Sequence, residues 1–330
     1  MGSVPEPTIY DVATRAGVAA STVSRAFGVP GRVSERTRQK VVAAAEELGY
    51  VPNPHARALQ SGKHATIALM LADITNPYFF ELIRGAEQRA RVAGNTLVIV
   101  NAEESRRIEF EQIQGLTGAV DGFILAASRL SDDELRALAG KHRLVLLDRE
   151  LPPIPSVVRD MRGGCRQILE HLSSLGHREV AYCSGPPTSW MSAERWAALS
   201  GGAEEHGLTL RRVGPYAPTV ANGAVAADGA LRAGVTAVVA HNDLLAIGIV
   251  RRLRDRGVAV PEDVSVVGFD DIFAAELLEP PLTTLGAPGA QAGRLAVELL
   301  LDPPGRHHPA QLRLPSDLVI RRSSGPGSGG

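Results

Sequence analysis

The chain has 330 residues, of which 44% are hydrophobic and 22% charged, and its 35 basic residues nearly balance 36 acidic ones. This length supports two or three domains with large buried cores, and the balanced charge excludes a general polycation. The charge is unevenly placed, because residues 1–63 hold eight Lys or Arg against five Asp or Glu. A basic head on an acidic body is typical of a small nucleic-acid module joined to a larger soluble domain.

The chain contains two cysteines, Cys165 and Cys183, and neither a disulfide framework nor metal-ligand spacing. We expect both thiols to be reduced, as in a cytoplasmic protein. The N-terminus shows no signal-peptide pattern, and no apolar run reaches the roughly 20 residues that span a bilayer. We therefore expect a soluble cytoplasmic protein with no membrane partner, cofactor or metal.

The first ordered stretch, 8–25, predicts two short helices around a tight turn. One apolar face at helical spacing is formed by Ile9, Val12, Ala13 and Ala16. Gly17 ends the first helix, and a second runs from about Ala20 to Phe27 with Val23 turned inward. Such a pair is a helix-turn-helix, whose second helix can enter a DNA major groove. An ordinary helical hairpin in a globular core is the alternative.

Ser34 is placed to cap a third helix, 35–48, which completes a small three-helix bundle. The next segment, 55–60, is too short and polar to form a stable helix by itself. A linker accounts for this segment equally well.

From Ala65 onward, strand and helix patterns alternate. The predicted strands are 67–71, 97–100, 122–126, 144–147, 180–183, 210–213, 237–240, 264–269 and 311–320. The predicted helices are 77–92, 107–116, one capped by Ser131 and Glu134, 162–175, 192–206, 225–232 and 244–256. This alternation predicts parallel sheets with helices on both faces, and its length favours two α/β lobes. The Ser/Gly/Pro-rich tail from Ser323 is predicted to be disordered.

Polar side chains follow several predicted strands, at the sheet edge where ligands of open parallel sheets bind. They are Asp73, Asn76, Asp148, Arg149, Asn242, Asp243, Asp270 and Asp271. Such groups suit a hydroxyl-rich ligand, because they supply paired acceptors and donors. For each aspartate a helix N-cap is the alternative, and this alternative is favoured for Asp243. Arg195 could point across the cleft or could be an ordinary surface arginine.

Aromatic residues flank these positions, although core packing explains any one of them: Tyr78, Phe79, Trp190, Trp196, Tyr216 and Phe269. The sequence contains no nucleophile elbow, phosphate loop, dinucleotide fingerprint or metal-ligand cluster. We therefore expect a binding protein and no enzyme.

Several runs of the chain resemble the LacI/GalR repressor family. In the headpiece they are Ile9-Tyr10-Asp11-Val12-Ala13, Gly17-Val18, Thr22-Val23-Ser24-Arg25, Val33-Ser34, Thr37-Arg38, Leu48-Gly49-Tyr50-Val51-Pro52-Asn53 and, in the hinge, Ala56-Arg57-Ala58-Leu59. In the body they are Ile74-Thr75-Asn76-Pro77-Tyr78-Phe79, Leu175-Gly176-His177, Asn242-Asp243, Val266-Val267-Gly268-Phe269-Asp270-Asp271 and Pro281-Leu282-Thr283-Thr284. The resemblance extends from about Thr8 to Arg322.

The resemblance implies an α/β protein: a three-helix helix-turn-helix headpiece, followed by a two-lobed core of doubly wound parallel sheets like a periplasmic binding protein. Three crossovers would join the lobes. The implied domains are a headpiece at 1–63 with a hinge helix at about 53–61, an N-lobe at 64–159 plus 287–313, a C-lobe at 160–286 plus 314–322, and a disordered tail at 323–330.

The resemblance also implies a DNA interface. Ala20, Ser21 and Arg25 fall where family members read base edges, and Leu59 falls where they insert leucines into the minor groove. The full expected set is Thr8, Ala20, Ser21, Thr22, Ser24, Arg25, Ser34, Asn53, Ala56 and Leu59. Ala19 departs from the family, which usually has a Ser cap there. The tail lacks leucine heptads, so we expect a homodimer on a palindromic operator in double-stranded DNA.

The resulting prediction is a sequence-specific transcriptional regulator, most simply a repressor, controlled by a small-molecule effector between the lobes. The expected effector contacts are Asp73, Asn76, Phe79, Asp148, Arg149, Arg195, Asn242 and Asp270. A carbohydrate is the leading effector class, and a purine or nucleoside is the alternative. Two other classes are disfavoured: a solute-binding protein for sugar transport, because of residues 1–63 and the missing signal-peptide pattern, and a sugar-modifying α/β enzyme, because no catalytic set is present.

Overall fold

The computed structural model describes residues 7–28, 33–50, 64–302 and 310–327. They belong to two compact units, Met1–Ala65 and Thr66–Gly330. The predicted hinge helix at about 53–61 lies outside the described residues. The expectation of a helical headpiece and a two-lobed α/β core is confirmed.

The headpiece contains three helices: α1 spans Ile9–Ala16, α2 spans Ala20–Gly28 and α3 spans Glu35–Leu48. Val12, Val23 and Val41, one from each helix, are fully buried and form the centre of its small core. The helical periodicity predicted this packing correctly, because three short amphipathic helices can bury their apolar faces only against one another.

The ends of these helices follow the residues that the sequence offers. The Asp11 carboxylate accepts hydrogen bonds from the backbone N–H and the hydroxyl of Thr8, both at 2.7 Å. Gly17 adopts the left-handed conformation, with φ of 68°, and ends α1. At the start of α3, the Ser34 hydroxyl accepts from the backbone N–H of Thr37 at 3.2 Å.

The N-lobe is built on a six-stranded parallel sheet. Its strands are β1 (Thr66–Leu71), β2 (Thr96–Asn101), β3 (Gly122–Ala126), β4 (Leu144–Leu147), β5 (Ser156–Arg159) and β11 (Gln311–Leu314). Its helices are α4 (Tyr78–Val92), α5 (Arg106–Leu116), α6 (Asp132–Ala139) and α12 (Gly289–Leu301). The strand order is β11-β5-β4-β3-β1-β2, so the order reverses between β1 and β3.

The C-lobe repeats this arrangement. Its strands are β6 (Glu179–Cys183), β7 (Thr209–Val213), β8 (Ala237–Ala240), β9 (Ser265–Phe269), β10 (Thr283–Gly286) and β12 (Asp317–Val319). Its helices are α7 (Met161–Ser174), α8 (Trp190–Ala203), α9 (Gly223–Arg232), α10 (Asp243–Asp255) and the short α11 (Phe273–Leu277). The strand order is β12-β10-β9-β8-β6-β7, and β12 runs antiparallel to β10.

The chain crosses between the two sheets three times: after β5, after β10 and after β11. The predicted lobe boundaries at 159/160, 286/287 and 313/314 lie at these crossings or within one residue of a strand end. The inner strands β1, β3, β4, β8 and β9 are buried apolar runs, because helices cover both faces of each sheet. The edge strands β2, β7, β11 and β12 are partly exposed.

The prediction of the last strand is wrong. The run 311–320 was expected as one strand, but it forms β11 and β12, which belong to different sheets and are separated by Pro315 and Ser316. Periodicity alone did not predict β5, β10, α11 or α12. The two missed strands, with sequences SVVR and TTLG, contain few large apolar residues, so they lack the uninterrupted apolar run that marks a buried strand.

The tail was expected to be disordered from Ser323, and this is wrong for residues 323–327. Ser323 is fully buried, and its hydroxyl donates to the Val266 carbonyl at 2.6 Å. The backbone N–H of Val266 donates to the Ser323 carbonyl at 2.7 Å, and the N–H of Gly325 to the Ser265 hydroxyl at 3.0 Å. Composition suggested disorder, but this segment gains its order from hydrogen bonds to β9, which composition does not report.

Candidate functional site

Loops that follow strands of both sheets converge on one cavity between the lobes. Six of the eight predicted effector contacts line it: Asn76, Phe79, Asp148, Arg195, Asn242 and Asp270. The N-lobe members follow β1 and β4, and most of the C-lobe members follow β8 and β9. The convergence is a consequence of parallel strands, whose carboxyl ends meet at the same edge of a sheet. The cavity volume is about 50 Å³, because charged side chains fill most of the cleft.

Two predicted contacts do not line this cavity. Asp73 forms a local turn, in which its carboxylate accepts from the N–H of Thr75 at 2.9 Å and from its hydroxyl at 2.7 Å. Arg149 is buried within the N-lobe, where its guanidinium donates to the Leu130 carbonyl at 2.5 Å and to Asp132 at 2.6 Å. Both residues follow predicted strands, but their side chains serve local structure.

A network of charges crosses the cavity. Arg159 donates to Asp148 at 3.1 Å and to Asp270 at 3.0 Å, which joins the two lobes. The Tyr78 hydroxyl donates to Asp148 at 2.6 Å. Arg195 donates to Asp270 at 3.1 Å from the other side. All four charged side chains are at least nine-tenths buried, so these pairs act in a medium of low dielectric constant.

Arg195 is the member with an unused donor. Its guanidinium lies over the Phe269 ring at 4.5 Å and donates to the His241 carbonyl at 2.5 Å. Its Nε is buried and has no hydrogen-bond partner among the described residues. Since a buried unpaired donor costs free energy, an acceptor atom of a ligand in the cavity would be stabilised here. The surface alternative for Arg195 is therefore wrong.

Three of the aspartates at strand ends have unusual backbones. Asp148, Asp270 and Asp271 have positive φ values of 56°, 108° and 49°. Such conformations cost free energy in residues other than glycine and gather at binding sites, where the surrounding structure holds them. Two of these strained residues, Asp148 and Asp270, carry the carboxylates that Arg159 and Arg195 contact.

The favoured N-cap role of Asp243 is wrong, because Asn242 caps α10 by accepting from the backbone N–H of Leu245 at 3.0 Å. Asp243 is instead fully buried and accepts from the Thr284 hydroxyl at 2.6 Å and the Ile272 N–H at 2.9 Å. Burial, together with the nearby Asp270 charge, raises its pKa well above the ordinary value. Asp243 therefore holds the loop that carries Asp270.

Several cavity residues were not singled out from the sequence, above all Arg159, His241 and the pair Arg129–Glu104. Arg159 ends β5, so the rule that ligands bind at strand ends would have found it had β5 been predicted. His241 is buried, and burial together with Arg195 lowers its pKa well below the ordinary value, so the ring is neutral. Burial also raises the pKa of Tyr78 well above its ordinary value, so its phenol stays a donor.

The headpiece places five predicted DNA-contact residues on α2: Ala20, Ser21, Thr22, Ser24 and Arg25. Ser21 and Arg25 are exposed and four residues apart, hence on one face, while Val23 is buried on the other. Thr8 and Ser34 precede α1 and α3 as their N-terminal caps. The remaining three, Asn53, Ala56 and Leu59, lie outside the described residues.

The start of α2 lacks a side-chain cap, since Ala19 offers only its carbonyl, which accepts from the N–H groups of Thr22 and Val23. Within the described residues, no group of three His, Cys, Asp or Glu side chains could hold a metal ion. None of the helices in the described ranges is long and apolar enough to cross a membrane.

Comparison with protein families gives two matches. Residues 8–53 match the bacterial regulatory proteins of the lacI family, and residues 169–324 match a periplasmic binding protein-like domain. The transcriptional regulator DegA of Bacillus subtilis is 34% identical over 97% of this chain and 98% of its own length. The transcriptional repressor CytR of Escherichia coli K12 is 32% identical over 96% of each chain.

Solved structures agree with this result. The lac repressor dimer bound to operator and the anti-inducer ONPF has a TM-score of 0.86, with 28% identity over 97% of this chain and 100% of that one. The complex of the transcriptional regulator CelR with cellobiose has a TM-score of 0.72, with 30% identity over 96% of this chain and 100% of that one.

Proposed function

The chain belongs to the lacI family of bacterial regulatory proteins. We propose that it is a transcriptional repressor whose affinity for DNA is controlled by a carbohydrate bound between its lobes. The observation that carries the effector half concerns Arg195, which lines the same cavity as Asp148 and Asp270 and whose buried Nε has no hydrogen-bond partner among the described residues. Sugar hydroxyls both donate to carboxylates and accept from guanidinium groups, so they complement this lining.

Two further observations favour a carbohydrate. The solved complex of the similar regulator CelR contains cellobiose. The charged cavity residues occur as matched opposite pairs, so a neutral ligand leaves no net charge buried. A nucleobase or nucleoside is the second candidate, because the Tyr78 and Phe79 rings lie 5.0 Å apart beside the cavity and offer aromatic surface.

The DNA half rests on α2. Ser21 and Arg25 are exposed on the face opposite the buried Val23, as a helix that enters a major groove requires. Arg25 has a long side chain that can donate to a guanine edge. We propose that two copies of the chain place two such helices on a palindromic site, and that the segment 53–61 with Leu59 wedges the minor groove between them.

Control by the effector follows from thermodynamic coupling. If the effector favours one placement of the two lobes, and that placement changes how well paired headpieces fit DNA, each ligand alters the affinity of the other by the same factor. The sign of this coupling distinguishes an inducer from a corepressor.

A thermal-shift screen of sugars and nucleobases, followed by calorimetry, tests the effector half. Replacing Asp270 with Ala removes charge-assisted hydrogen bonds worth about 1.5–3 kcal/mol, so the affinity for the best sugar falls about 10- to 100-fold. The matched control is Asp73→Ala, since that carboxylate lies outside the cavity and its loss leaves affinity within a factor of about three. Full affinity in Asp270→Ala would refute this site, and stabilisation by nucleobases alone would select the second candidate.

Duplex binding tests the DNA half. Arg25→Ala should weaken specific operator binding by about 1–3 kcal/mol. Arg15→Ala is the control in the same headpiece, because Arg15 is paired with Glu47 at 2.5 Å. An equal loss of operator affinity in the two variants would show that α2 does not read the operator. An affinity that does not change with salt concentration would contradict contact with the phosphates.

A further inference from the structure

We propose that Arg159 selects the effector: it donates to both cleft carboxylates and balances their charge, so that only a charge-neutral sugar with paired hydroxyl donors can take over its hydrogen bonds without leaving an unmatched charge. This inference rests on the proposed carbohydrate site and narrows its ligand class. It makes Arg159 a specificity-determining residue and, at the same time, a clamp between the lobes.

The geometry places Arg159 at the centre of the cleft. It is the last residue of β5 in the N-lobe, and its side chain is only 6% exposed. Its Nε donates to Asp148 of the same lobe at 3.1 Å, and its Nη1 donates to Asp270 of the C-lobe at 3.0 Å. The guanidinium also covers the Tyr78 ring at 4.8 Å. One side chain therefore engages three groups that a ligand in this cavity would contact.

The cavity beside Arg159 must widen before a ligand can enter. The cavity measures about 50 Å³, whereas small-molecule sites usually enclose ~300–1,000 Å³. A sugar that contacts Asp148 and Asp270 must supply hydrogen-bond donors in place of the guanidinium, since a buried carboxylate without donors is costly. Neighbouring ring hydroxyls meet this demand.

Charge balance sets the class of sugar. Arg159 and Arg195 match Asp148 and Asp270, and Arg129 at the edge of the cavity is matched by Glu104. Burial alone would lower the pKa of Arg159, but Asp148, the Tyr78 phenol and Asp270 outweigh it and raise the pKa, so the guanidinium stays charged. A phosphorylated or acidic sugar would bring an unmatched negative charge into this desolvated cluster, which is unfavourable.

The clamp can be tested without any ligand, by hydrogen exchange of the full chain. In Arg159→Met the backbone amides of residues 146–151 and 268–273 should exchange faster together, because the contact between the lobes is lost. Arg149→Met is the matched control, since Arg149 is an equally buried arginine whose ion pair with Asp132 stays within the N-lobe. Unchanged protection of 268–273 in Arg159→Met would overturn the clamp. If the Met variant does not fold, Arg159→Lys, which keeps the charge, takes its place in the same hydrogen-exchange experiment.

The selectivity is tested by calorimetry with neutral aldohexoses and cellobiose, their 2-amino derivatives and their 6-phosphates. The wild type should bind the neutral sugar at least about tenfold more tightly than its phosphate, a difference of about 1.4 kcal/mol. In Arg159→Met the cluster has one negative charge in excess, so preference should shift about tenfold towards the amino sugar. Arg149→Met should show no shift.

The same ratio of amino sugar to neutral sugar in wild type and Arg159→Met would overturn the selectivity. Tight binding of the phosphate by the wild type would do so as well. If no sugar binds the wild type, the proposed carbohydrate effector fails, whereas the exchange experiment still decides whether Arg159 joins the lobes. The two failures are therefore distinguishable.

Discussion

Asp243 is a buried carboxyl that does not line the cavity itself but supports the loop carrying Asp270, which does. Its carboxylate accepts hydrogen bonds from the backbone N–H of Ile272 and from the hydroxyl of Thr284. The Thr284 hydroxyl in turn accepts from the backbone N–H of Asp271 at 3.3 Å. The strained Asp270 and Asp271 are thereby held in place. A β-carbon at Gly268 would lie 2.1 Å from the Asp243 carboxylate, so this strand position has to be glycine.

The raised pKa of Asp243 gives a prediction about pH. The folded protein retains this proton above pH ~3.8, where the unfolded chain releases it, so the stability that the group contributes is lost as pH rises through that window. Asp243→Asn mimics the protonated form and should lose less stability than the wild type between pH 4 and pH 7. Chemical denaturation at both pH values measures this.

Asp133→Asn is the control for removing a carboxylate charge, because the Asp133 side chain is 97% exposed. A stability difference between Asp243→Asn and wild type that is equal at pH 4 and pH 7 would contradict the raised pKa.

The sequence predicted the positions of the cleft aspartates but not the direction of every side chain. Asp148 and Asp270 follow buried strands, and this alone placed them at the binding edge. Asp73 and Arg149 obey the same rule, yet their side chains form hydrogen bonds within the N-lobe, with Thr75 and Asp132 respectively. Strand position fixes where a loop begins, whereas nearby polar partners decide where its side chains point.

At the scale of elements, helices α4 and α12 pack with almost no space between their backbones. A β-carbon at Gly85 would lie 1.9 Å from the Ala290 carbonyl oxygen, and one at Gly293 would lie 2.1 Å from that of Leu82. The two helices therefore approach backbone to backbone, and small residues make the contact possible.

Gly293→Ala should separate α4 and α12 and destabilise the protein by about 1–3 kcal/mol, the usual cost of overpacking. Gly115→Ala is the matched control, because Gly115 is helical and its β-carbon would meet nothing within 4 Å. There alanine should be neutral or stabilise by up to about 1 kcal/mol. Thermal unfolding of the two variants measures the contrast, and equal melting temperatures would refute the close approach.

Ala19 offers a prediction about the recognition helix. Ala19→Ser would give α2 the hydroxyl acceptor it lacks, and a serine cap is worth about 0.5–2 kcal/mol. Both the thermal stability of the headpiece and its affinity for operator DNA should rise. A serine variant that melts and binds like wild type would show that α2 is already fully ordered without a cap.

Elements with strong periodicity were predictable in this chain, whereas those with short or mixed patterns were not. Strands β3, β4 and β8 match their predicted bounds, since each is an uninterrupted apolar run. The run 311–320 is interrupted by Pro315, Ser316 and Asp317, and its two halves belong to different sheets, which the apolar pattern does not report. The order of 323–327 likewise depends on β9, which is distant in sequence.

For the whole molecule, three chain crossings join the two sheets, and the ion pair of Arg159 with Asp270 connects the lobes across the cleft. An effector that replaces this pair alters the free energy of one lobe arrangement relative to others. Coupling of 1–3 kcal/mol between two sites is typical of allosteric proteins and corresponds to about 5- to 150-fold in affinity.

The central claim is that the cleft ligand and operator DNA are coupled through one chain. The direct measurement is the dissociation constant for a duplex with two half-sites, by fluorescence anisotropy at fixed salt, with and without a saturating sugar identified by calorimetry. We expect a change of at least about fivefold in the wild type and none in Asp270→Ala. A sugar that binds the wild-type cleft but leaves its DNA affinity unchanged would contradict the account.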